Sequence, residues 1–427
     1  MRKIKGLVLS AISALFIINV AFAGETDMLI NKLAEKGVIT YGEAAQITNE
    51  TKEAARADLA SAKVSSLPLW IQNITMSGDM RLRMQDDWNQ ANNFTRVRER
   101  VRLRTNFDTR LSEGFKAGFG FATGSEAIDA TTDELGNATV GKGNVIDANS
   151  GSANSTFSGF GRLPLQLNLA FVEYNAPSFL GINTAVTAGK MRQGTQVWNA
   201  TDLLWEPSMN PDGMAVKFTR SINDTMSLAL IGSYLTINNI NSAVSNPTGA
   251  TAELMYTWDT EDYRVKLGVA QQNLDVVNKN CGTYYGTPGC DYFVMSESFD
   301  LTYKNVIGSN NIALVGDIAK NNNSAVTSDT NASCYGVKLG VDSVAGFGQW
   351  QIVYLNRRLE ANSWLNKLGA NDPYGAANNA SGSQEQLNLG LSKAATLAFT
   401  YYNYDKINGA NSTTPQSIFQ SDIIYKF

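Results

Sequence analysis

Apolar and polar residues alternate with a period of two from Ile74 to the end of the chain. In the first run, Ile74, Met76 and Met80 share one parity, and mostly polar residues occupy the other. Similar runs recur about sixteen times, each with roughly the 9–11 residues of a strand that crosses a bilayer. Because the side chains of a strand point alternately to opposite faces, each run predicts a strand with one apolar and one polar face. The half-buried strands of a soluble sandwich give the same alternation.

The first residues of the chain predict export. Arg2, Lys3 and Lys5 precede an apolar run at 6–22, and Ala21-Phe22-Ala23 follows with small residues at its outer positions. This is the pattern of a secretory signal peptide, and we expect residues 1–23 to be removed after Ala23. The alternative, a first transmembrane helix, is disfavoured because the run is short for a span of about 20 residues.

The chain ends in an amphipathic strand. Phe419, Ile423, Tyr425 and the terminal Phe427 share one parity, and mostly polar residues share the other. An exported protein that ends in this way resembles the β-barrels of bacterial outer membranes. The resemblance implies that the last strand, with Tyr425 and Phe427, is the assembly signal that the barrel-assembly machinery recognises.

The connections between the predicted strands alternate in length. After even-numbered strands they are short, and they lie at 110–114, 177–181, 221–224, 260–262, 305–310, 344–348 and 392–395. After odd-numbered strands they are mostly longer and rich in Asn, Ser, Gly and Thr, as at 123–164, 193–211, 236–249, 273–293 and 358–384. Short turns at one end and long loops at the other are typical of transmembrane barrels. We therefore predict an all-β transmembrane fold over 71–427, an antiparallel up-and-down barrel of about 16 strands (roughly 14–18).

Residues 24–70 differ from the rest and predict a short periplasmic α-helical segment. Met28, Leu29 and Leu33 have helical spacing, and Gly37 is a stop signal. A second helix would begin near Thr40 and end before Pro68. The region 24–66 is expected to contact peptidoglycan or a periplasmic protein, or to trimerise; a solvated spacer is the alternative.

Composition excludes several classes of function. The chain has 35 Lys and Arg against 39 Asp and Glu, and loss of the three basic signal residues leaves a mature charge of about −7. An acidic chain argues against nucleic acid as a partner. The chain has no histidine, which removes Ser-His hydrolases and most zinc chemistry. We expect no enzyme activity, no metal and no cofactor.

Cysteine usage allows one disulfide. Cys281 and Cys290 flank a short segment rich in Gly and Tyr, and they could close a loop in an oxidising compartment. Cys334 would remain without a partner in that arrangement.

Arginines occupy the polar parity of the first two predicted strands. We call this set the arginine wall, and its members are Arg81, Arg83, Arg96, Arg98, Arg100, Arg102 and Arg104. Alternation with Val, Leu and Phe predicts that these guanidinium groups all face the lumen, where they stay charged at any relevant pH. The set would repel itself unless water, acidic loop residues or permeant anions compensate it. A solvated face is the alternative interpretation.

The third long connection, called loop 3 and spanning 193–213, is apolar for a surface loop. Trp198, Leu203 and Trp205 lie in it beside Asp202, Glu206 and Asp212. We expect it to fold into the lumen and to place these acids opposite the arginine wall. A transverse field of this kind sorts solutes by charge and size. The alternative is that the tryptophans pack at the membrane rim.

The exported chain resembles the bacterial porins, particularly those with a short N-terminal helical segment. The matching features are the helical region at 29–47, the arginine strand at 96–104, Gly189-Lys190-Met191, the segment 202–213 and Phe427. The resemblance implies passive diffusion of small hydrophilic solutes through a barrel in the outer membrane of a Gram-negative-type (diderm) bacterium. It also implies contact with outer-membrane lipid and lipopolysaccharide, and assembly into a homotrimer.

Two other functions stay open at this point. One is a structural envelope protein, whose barrel anchors the helices of 24–66 for attachment to the cell wall. The other is a solute-specific channel for an anionic nutrient, which the dense arginine wall would favour.

Overall fold

The fold is that of a computed structural model. It describes residues 69–89, 94–111, 113–124, 133–134, 165–237, 247–275, 291–324, 326–366, 368–370, 372, 378–408 and 415–427, with Lys36 and Glu43. The predicted signal peptide and the Cys281–Cys290 disulfide lie outside these residues, as does the predicted helical segment 24–70 apart from Lys36, Glu43 and residues 69–70. The chain divides into two units, Met1–Asn73 and Ile74–Phe427. Among the described residues, no helix is long and apolar enough to cross a membrane.

A short helix, α1 (Leu69–Gln72), precedes the sheet. Among the described residues, sixteen strands follow, besides a two-residue strand, Asp133–Glu134, that pairs with the second of them. They are β1 (Thr75–Asn89), β2 (Phe94–Arg110), β3 (Phe115–Thr123), β4 (Leu165–Phe179), β5 (Ile182–Lys190), β6 (Asp212–Ser221), β7 (Met226–Thr236), β8 (Thr248–Asp259), β9 (Tyr263–Asp275), β10 (Tyr292–Ile307), β11 (Asn310–Asn321), β12 (Asn331–Gly340), β13 (Trp350–Leu359), β14 (Ala380–Gly390), β15 (Ala395–Lys406) and β16 (Gln416–Lys426).

The sheet closes on itself. Each strand pairs antiparallel with its neighbours in sequence, and β16 returns to pair with β1 in the register Leu82 opposite Ile423. The predicted fold class, an antiparallel barrel of about 16 strands, is confirmed. The connections at one end are mostly short, as at 180–181 and 308–309, whereas those at the other end include 191–211 and 360–379.

Side chains divide by parity as the alternation predicts. On β1, Met80 and Met84 are exposed on the outer face, whereas Asp79, Arg83 and Gln85 are buried on the inner face. The outer face of the barrel therefore carries apolar side chains, and the inner face carries most of the charge.

A packed core lies inside the barrel. Two long connections fold inward, 191–211 and 360–379, and their apolar side chains pack against the inner faces of β6 to β13. Leu203, Leu204 and Trp364 are completely buried there. Sixteen strands enclose more space than their own inward side chains fill, so the connections can occupy part of it.

The seam of the barrel depends on a close approach at Gly78. Its N–H donates to the Phe427 carbonyl at 2.8 Å, and the Phe427 N–H donates back at 3.1 Å. A Cβ atom at position 78 would lie 2.2 Å from the Arg104 carbonyl oxygen and 2.7 Å from the Phe427 ring. Only glycine fits between β2 and the chain end without displacing backbone.

We expect Gly78→Val to destabilise the barrel by about 1–3 kcal/mol, because the side chain overpacks the seam. Refolding yield in detergent, followed by heat-modifiable electrophoretic mobility, measures the effect. Gly232→Val is the matched control, since a Cβ atom there meets nothing within 4 Å. Equal yields for the two variants would contradict the role assigned to Gly78.

Candidate functional site

The arginine wall lies on the inner faces of β1 and β2. Arg81 is opposite Arg102, and Arg83 is opposite Arg100, so the two strands bring the guanidinium groups together. The neighbouring positions of opposite parity, such as Val97 and Leu82, are exposed on the outer face. On β2 the side chains of Arg98, Arg100, Arg102 and Arg104 are partly buried, whereas Arg96, nearer the end of the strand, is exposed.

Acids of the barrel wall itself neutralise much of this charge. Asp79 accepts from Arg102 at 2.7 Å and from Arg104 at 2.6 Å. Arg98 pairs with Asp87 at 2.7 Å. These acids lie on β1 and share the parity of the arginines, so each faces the same space as its partner. The arginine wall is thus a set of ion pairs more than a block of like charge.

The closure of the barrel adds a third wall acid. Asp422 on β16 accepts two hydrogen bonds from Arg83, from Nε at 2.7 Å and from Nη2 at 2.8 Å. Two such bonds fix both the position and the plane of the guanidinium group. Arg100 donates to Gln85 at 2.9 Å, and Gln85 also accepts from Gln420 of β16 at 3.2 Å. Side chains of three strands therefore hold the arginines in place.

Loop 3 occupies 191–211 in the structure and lies against the inner faces of β8, β9 and β11. The Trp198 N–H donates to Glu253 at 2.7 Å, and the Ala200 N–H donates to Asp317 at 3.0 Å. The Lys266 ammonium lies 3.9 Å from the centre of the Trp198 ring. Polar groups of the barrel wall therefore orient loop 3 and hold its first half against the inner face of the barrel.

The middle of loop 3 is buried. The Trp205 indole N–H donates to Gln272 at 2.8 Å, and its ring packs edge-on against Trp364. The Glu206 carboxylate accepts from Ser208 at 3.1 Å. Trp205 is 3% exposed, so its apolar ring is covered by protein and not by lipid at the rim.

The acids of loop 3 have partners other than those expected. Asp202 forms an ion pair with Arg357 of β13 and not with an arginine of β1 or β2. Asp212, expected within the loop, is the first residue of β6 and pairs with Lys190 at 3.0 Å. The inward fold of the loop brings Asp202 to the part of the wall that it packs on, which carries Arg357.

A second inward connection reaches the arginine wall. Asp372, between β13 and β14, accepts from Gln420 at 2.8 Å, from the Tyr402 hydroxyl at 3.2 Å and from Arg83 at 3.4 Å. Burial raises the pKa of the Asp372 carboxyl, but the charges of Arg83, Arg100 and Arg81 lower it more, so the net pKa lies below its usual value.

The two connections are joined to each other. The Trp364 indole N–H donates to the Leu204 carbonyl at 2.6 Å, and the Glu206 N–H donates to the Leu368 carbonyl at 2.7 Å. The Ala370 N–H donates to the Asp202 carbonyl at 3.1 Å. Loop 3 and the β13–β14 connection therefore form one packed unit inside the barrel.

A cavity of about 460 Å³ remains between this unit and the wall. Asp79, Arg104 and Asn106 line it on the side of β1 and β2. Arg192, Gln193, Pro207, Ser208 and Asn210 line it on the side of loop 3. Paired charges and amides surround this space, and it is open to solvent.

Sequence reasoning missed most of the acids that pair with the arginine wall. Asp79 and Asp87 share the parity of Arg81 and Arg83, which was a usable signal. Asp422 could also have been found, because a closed barrel must place the last strand beside the first. Asp372 carries no such signal, since its position depends on how an irregular connection folds.

We expect Asp202→Asn to destabilise the folded barrel by about 3 kcal/mol, because it leaves the buried Arg357 charge unpaired. Arg357 is 4% exposed. Asp212→Asn is the matched control, and its pair with Lys190 is solvated, so we expect a loss of at most about 1 kcal/mol. Urea unfolding in detergent micelles measures both. Similar losses for the two variants would count against a structural role for the Asp202–Arg357 pair.

Comparison with known proteins gives one family match and several matches to solved structures. Residues 88–258 match the family described as "Putative porin". No curated protein matches the chain. Among solved structures, mutants of the Rhodopseudomonas blastica porin are similar to it; two of them are 12% identical, with TM-scores of 0.40 and 0.41, and cover 83% of this chain and 100% of their own. Residues 88–258 are thus similar to the putative porin family, within a chain whose described residues form a closed sixteen-stranded antiparallel barrel.

Proposed function

We propose that this protein is a porin that forms a water-filled channel of the outer membrane for passive diffusion of small hydrophilic solutes and ions. The observation that carries the proposal is the open cavity between the arginine wall and loop 3. The similarity of residues 88–258 to the putative porin family and a barrel too wide to be filled by its own side chains support it. No step of this function needs a catalytic group.

The unit formed by loop 3 and the β13–β14 connection is the proposed constriction. Its apolar core packs on β6 to β13, and the open cavity lies beside β1, β2 and β4. Trp198 and Trp205 fix loop 3 to the wall, and Asp202 and Glu206 lie in the part joined to the second connection. A solute would therefore move along a wall of alternating positive and negative groups.

The charge pairs of that wall favour weak selectivity. Asp79, Asp87 and Asp422 each hold an arginine within 2.7 Å. Oriented ion pairs still create a local field that orders water and disfavours apolar solutes. Because the arginines are compensated, the arrangement supports a mild anion preference more than a specific site for an anionic nutrient.

The outer surface and the chain end fit an outer-membrane location in a Gram-negative-type bacterium. The apolar outer parity would contact lipid and lipopolysaccharide, and the short connections would face the periplasm. Tyr425 and Phe427 are exposed, and their ring centres lie 6.4 Å apart. This pair would be accessible to the barrel-assembly machinery, and assembly as a homotrimer belongs to the same proposal.

The function is tested with purified protein in planar bilayers. We expect discrete conductance steps and a current that rises linearly with voltage and does not saturate with one particular solute. If electrophoretic mobility shows that the sample is folded and the membranes still show no conductance steps, the channel is refuted. Saturable block by a single anion would favour the anion-specific alternative instead.

We expect charge reversal of Arg98, Arg100 and Arg102 to glutamate to move the reversal potential in a salt gradient toward cation selectivity, because it places negative charge along the passage. Arg220→Glu is the control, since Arg220 is exposed near the short-connection end of β6, on its outward parity. An unchanged reversal potential in the arginine variants would remove the arginine wall from the mechanism.

We expect the channel to become more anion-selective in acid, because protonation of Asp372 removes a negative charge beside Arg83. The pKa of Asp372 lies below its usual 3.8, so its charge and the stability it contributes are present above that pH and are lost as pH falls through the lowered pKa. Asp372→Asn should shift the reversal potential toward anions already at neutral pH, and acid should change it less. Equal reversal potentials for wild type and Asp372→Asn at neutral pH would contradict this.

A further inference from the structure

Arg192 lies where loop 3 leaves the wall of the barrel. β5 ends at Lys190, and the Met191 N–H donates to the Pro211 carbonyl at 2.8 Å, so the two ends of loop 3 meet there. The Arg192 side chain also lines the open cavity between loop 3 and the arginine wall. Its position therefore affects how much of that space is open.

The Arg192 side chain is held against the inner wall. Its Nη2 atom donates to both carboxylate oxygens of Asp108 on β2, at 2.7 and 2.6 Å. Its guanidinium carbon lies 5.6 Å from the centre of the Phe171 ring on β4, within the range of a cation–π contact. A planar guanidinium group can stack on a ring and pair with a carboxylate at the same time. Residues of two other strands therefore fix this side chain.

The pairing of the strands places these contacts in one row. Asp108 is opposite Gly118 on β3, and Gly118 is opposite Phe171. Phe171 is in turn opposite Gly189 on β5. Arg192 follows three residues after Gly189, and its guanidinium group lies over Phe171 and reaches Asp108. The side chain therefore extends back along this row of the wall toward β2.

Gly118 gives this row the room that it needs. A Cβ atom at position 118 would lie 2.5 Å from the Phe171 ring and 2.7 Å from Oδ1 of Asp108. Both distances are shorter than van der Waals contact, so a larger residue would displace the two groups that hold Arg192.

The ion pair is accessible to solvent. The side chains of Arg192 and Asp108 are 42% and 41% exposed, so water screens their attraction and the pair contributes little to stability. Substitution of either residue should leave the barrel folded, because the apolar core of loop 3 packs elsewhere, around Leu203 and Trp205. The pair can therefore position a side chain without being required for the fold.

We propose that Arg192 is a size-determining residue of the passage. Asp108, Phe171 and Gly118 keep its side chain against the wall, where the guanidinium group leaves the space beside loop 3 open. A released side chain would extend into that space, because a long side chain gains rotamer freedom in water. This inference rests on the proposed channel and adds which residue limits the size of its solutes.

The first test compares the entry of two neutral sugars into vesicles that contain the protein, followed by vesicle swelling. We expect Arg192→Ser to raise the entry rate of sucrose relative to arabinose, because the side chain that borders the passage is removed. Asp108→Ser should lower the same ratio, because it releases the arginine. The combined variant should behave like Arg192→Ser alone. Effects of the same sign in the two single variants, or no change in either, would overturn the proposal.

Two further variants separate position from charge. Gly118→Ala changes no charge and should lower the sucrose-to-arabinose ratio as Asp108→Ser does. Glu173→Ser is the matched control: it breaks a pair with Lys116 at 2.8 Å on β3 and β4, and neither residue is among those that line the cavity. An unchanged ratio in Gly118→Ala, or a fall in Glu173→Ser equal to that in Asp108→Ser, would count against the proposal.

Chemical modification tests the contacts of Arg192 without solute passage. Phenylglyoxal reacts with accessible guanidinium groups, and mass spectrometry of the folded protein in detergent gives the rate of modification at Arg192. We expect Asp108→Ser to raise this rate roughly two- to fivefold, the factor that corresponds to a solvated ion pair, and Glu173→Ser to leave it unchanged. An unchanged rate in Asp108→Ser would overturn the proposal. A raised rate in a protein that admits neither sugar in any variant would refute the channel and leave the contacts of Arg192 standing.

Discussion

The pairing of β1 with β16 is the interaction on which the rest of the structure depends. In hydrocarbon every backbone N–H and C=O needs a partner within the protein, and a sheet meets this demand only when its two edges pair. Here the edges meet in a continuous register from Asp79–Lys426 to Asn89–Gln416. Phe427 takes part in this pairing through two backbone hydrogen bonds with Gly78.

Closure also creates the electrostatics of the lumen. It brings Asp422 beside Arg83, although the two residues are separated by 339 positions in sequence. Asp79 and Asp87 reach the arginines from within β1, and Asp372 reaches them from an inward connection. A wall that would repel itself is in this way stabilised by acids from a strand, from its neighbour across the seam and from a connection.

Part of the barrel interior is filled by two packed connections. Leu203, Leu204 and Trp364 of loop 3 and the β13–β14 connection are completely buried. Main-chain and indole hydrogen bonds join the two connections to each other. The apolar residues of loop 3 predicted that it would leave the solvent. Its partner connection was not anticipated, although Trp364, Leu365 and Leu368 give it the same apolar signal as loop 3. The pairing of Asp202 with Arg357 followed from that docking and could not be read from the positions of the arginines.

The amino-acid sequence by itself determined where strands form, roughly how many there are, and that short and long connections alternate. It also determined that Met80 and Arg81 point to opposite faces of the sheet. Local side-chain geometry explains why these features could be predicted. A period of two is a property of one strand, so it is readable without knowing the neighbours. The tertiary structure alone decided which charges meet, where loop 3 and its partner dock, and that Arg192 lies beside Asp108. Each of these depends on residues from different strands or connections, whose proximity is set only when the sheet has closed and its interior has packed.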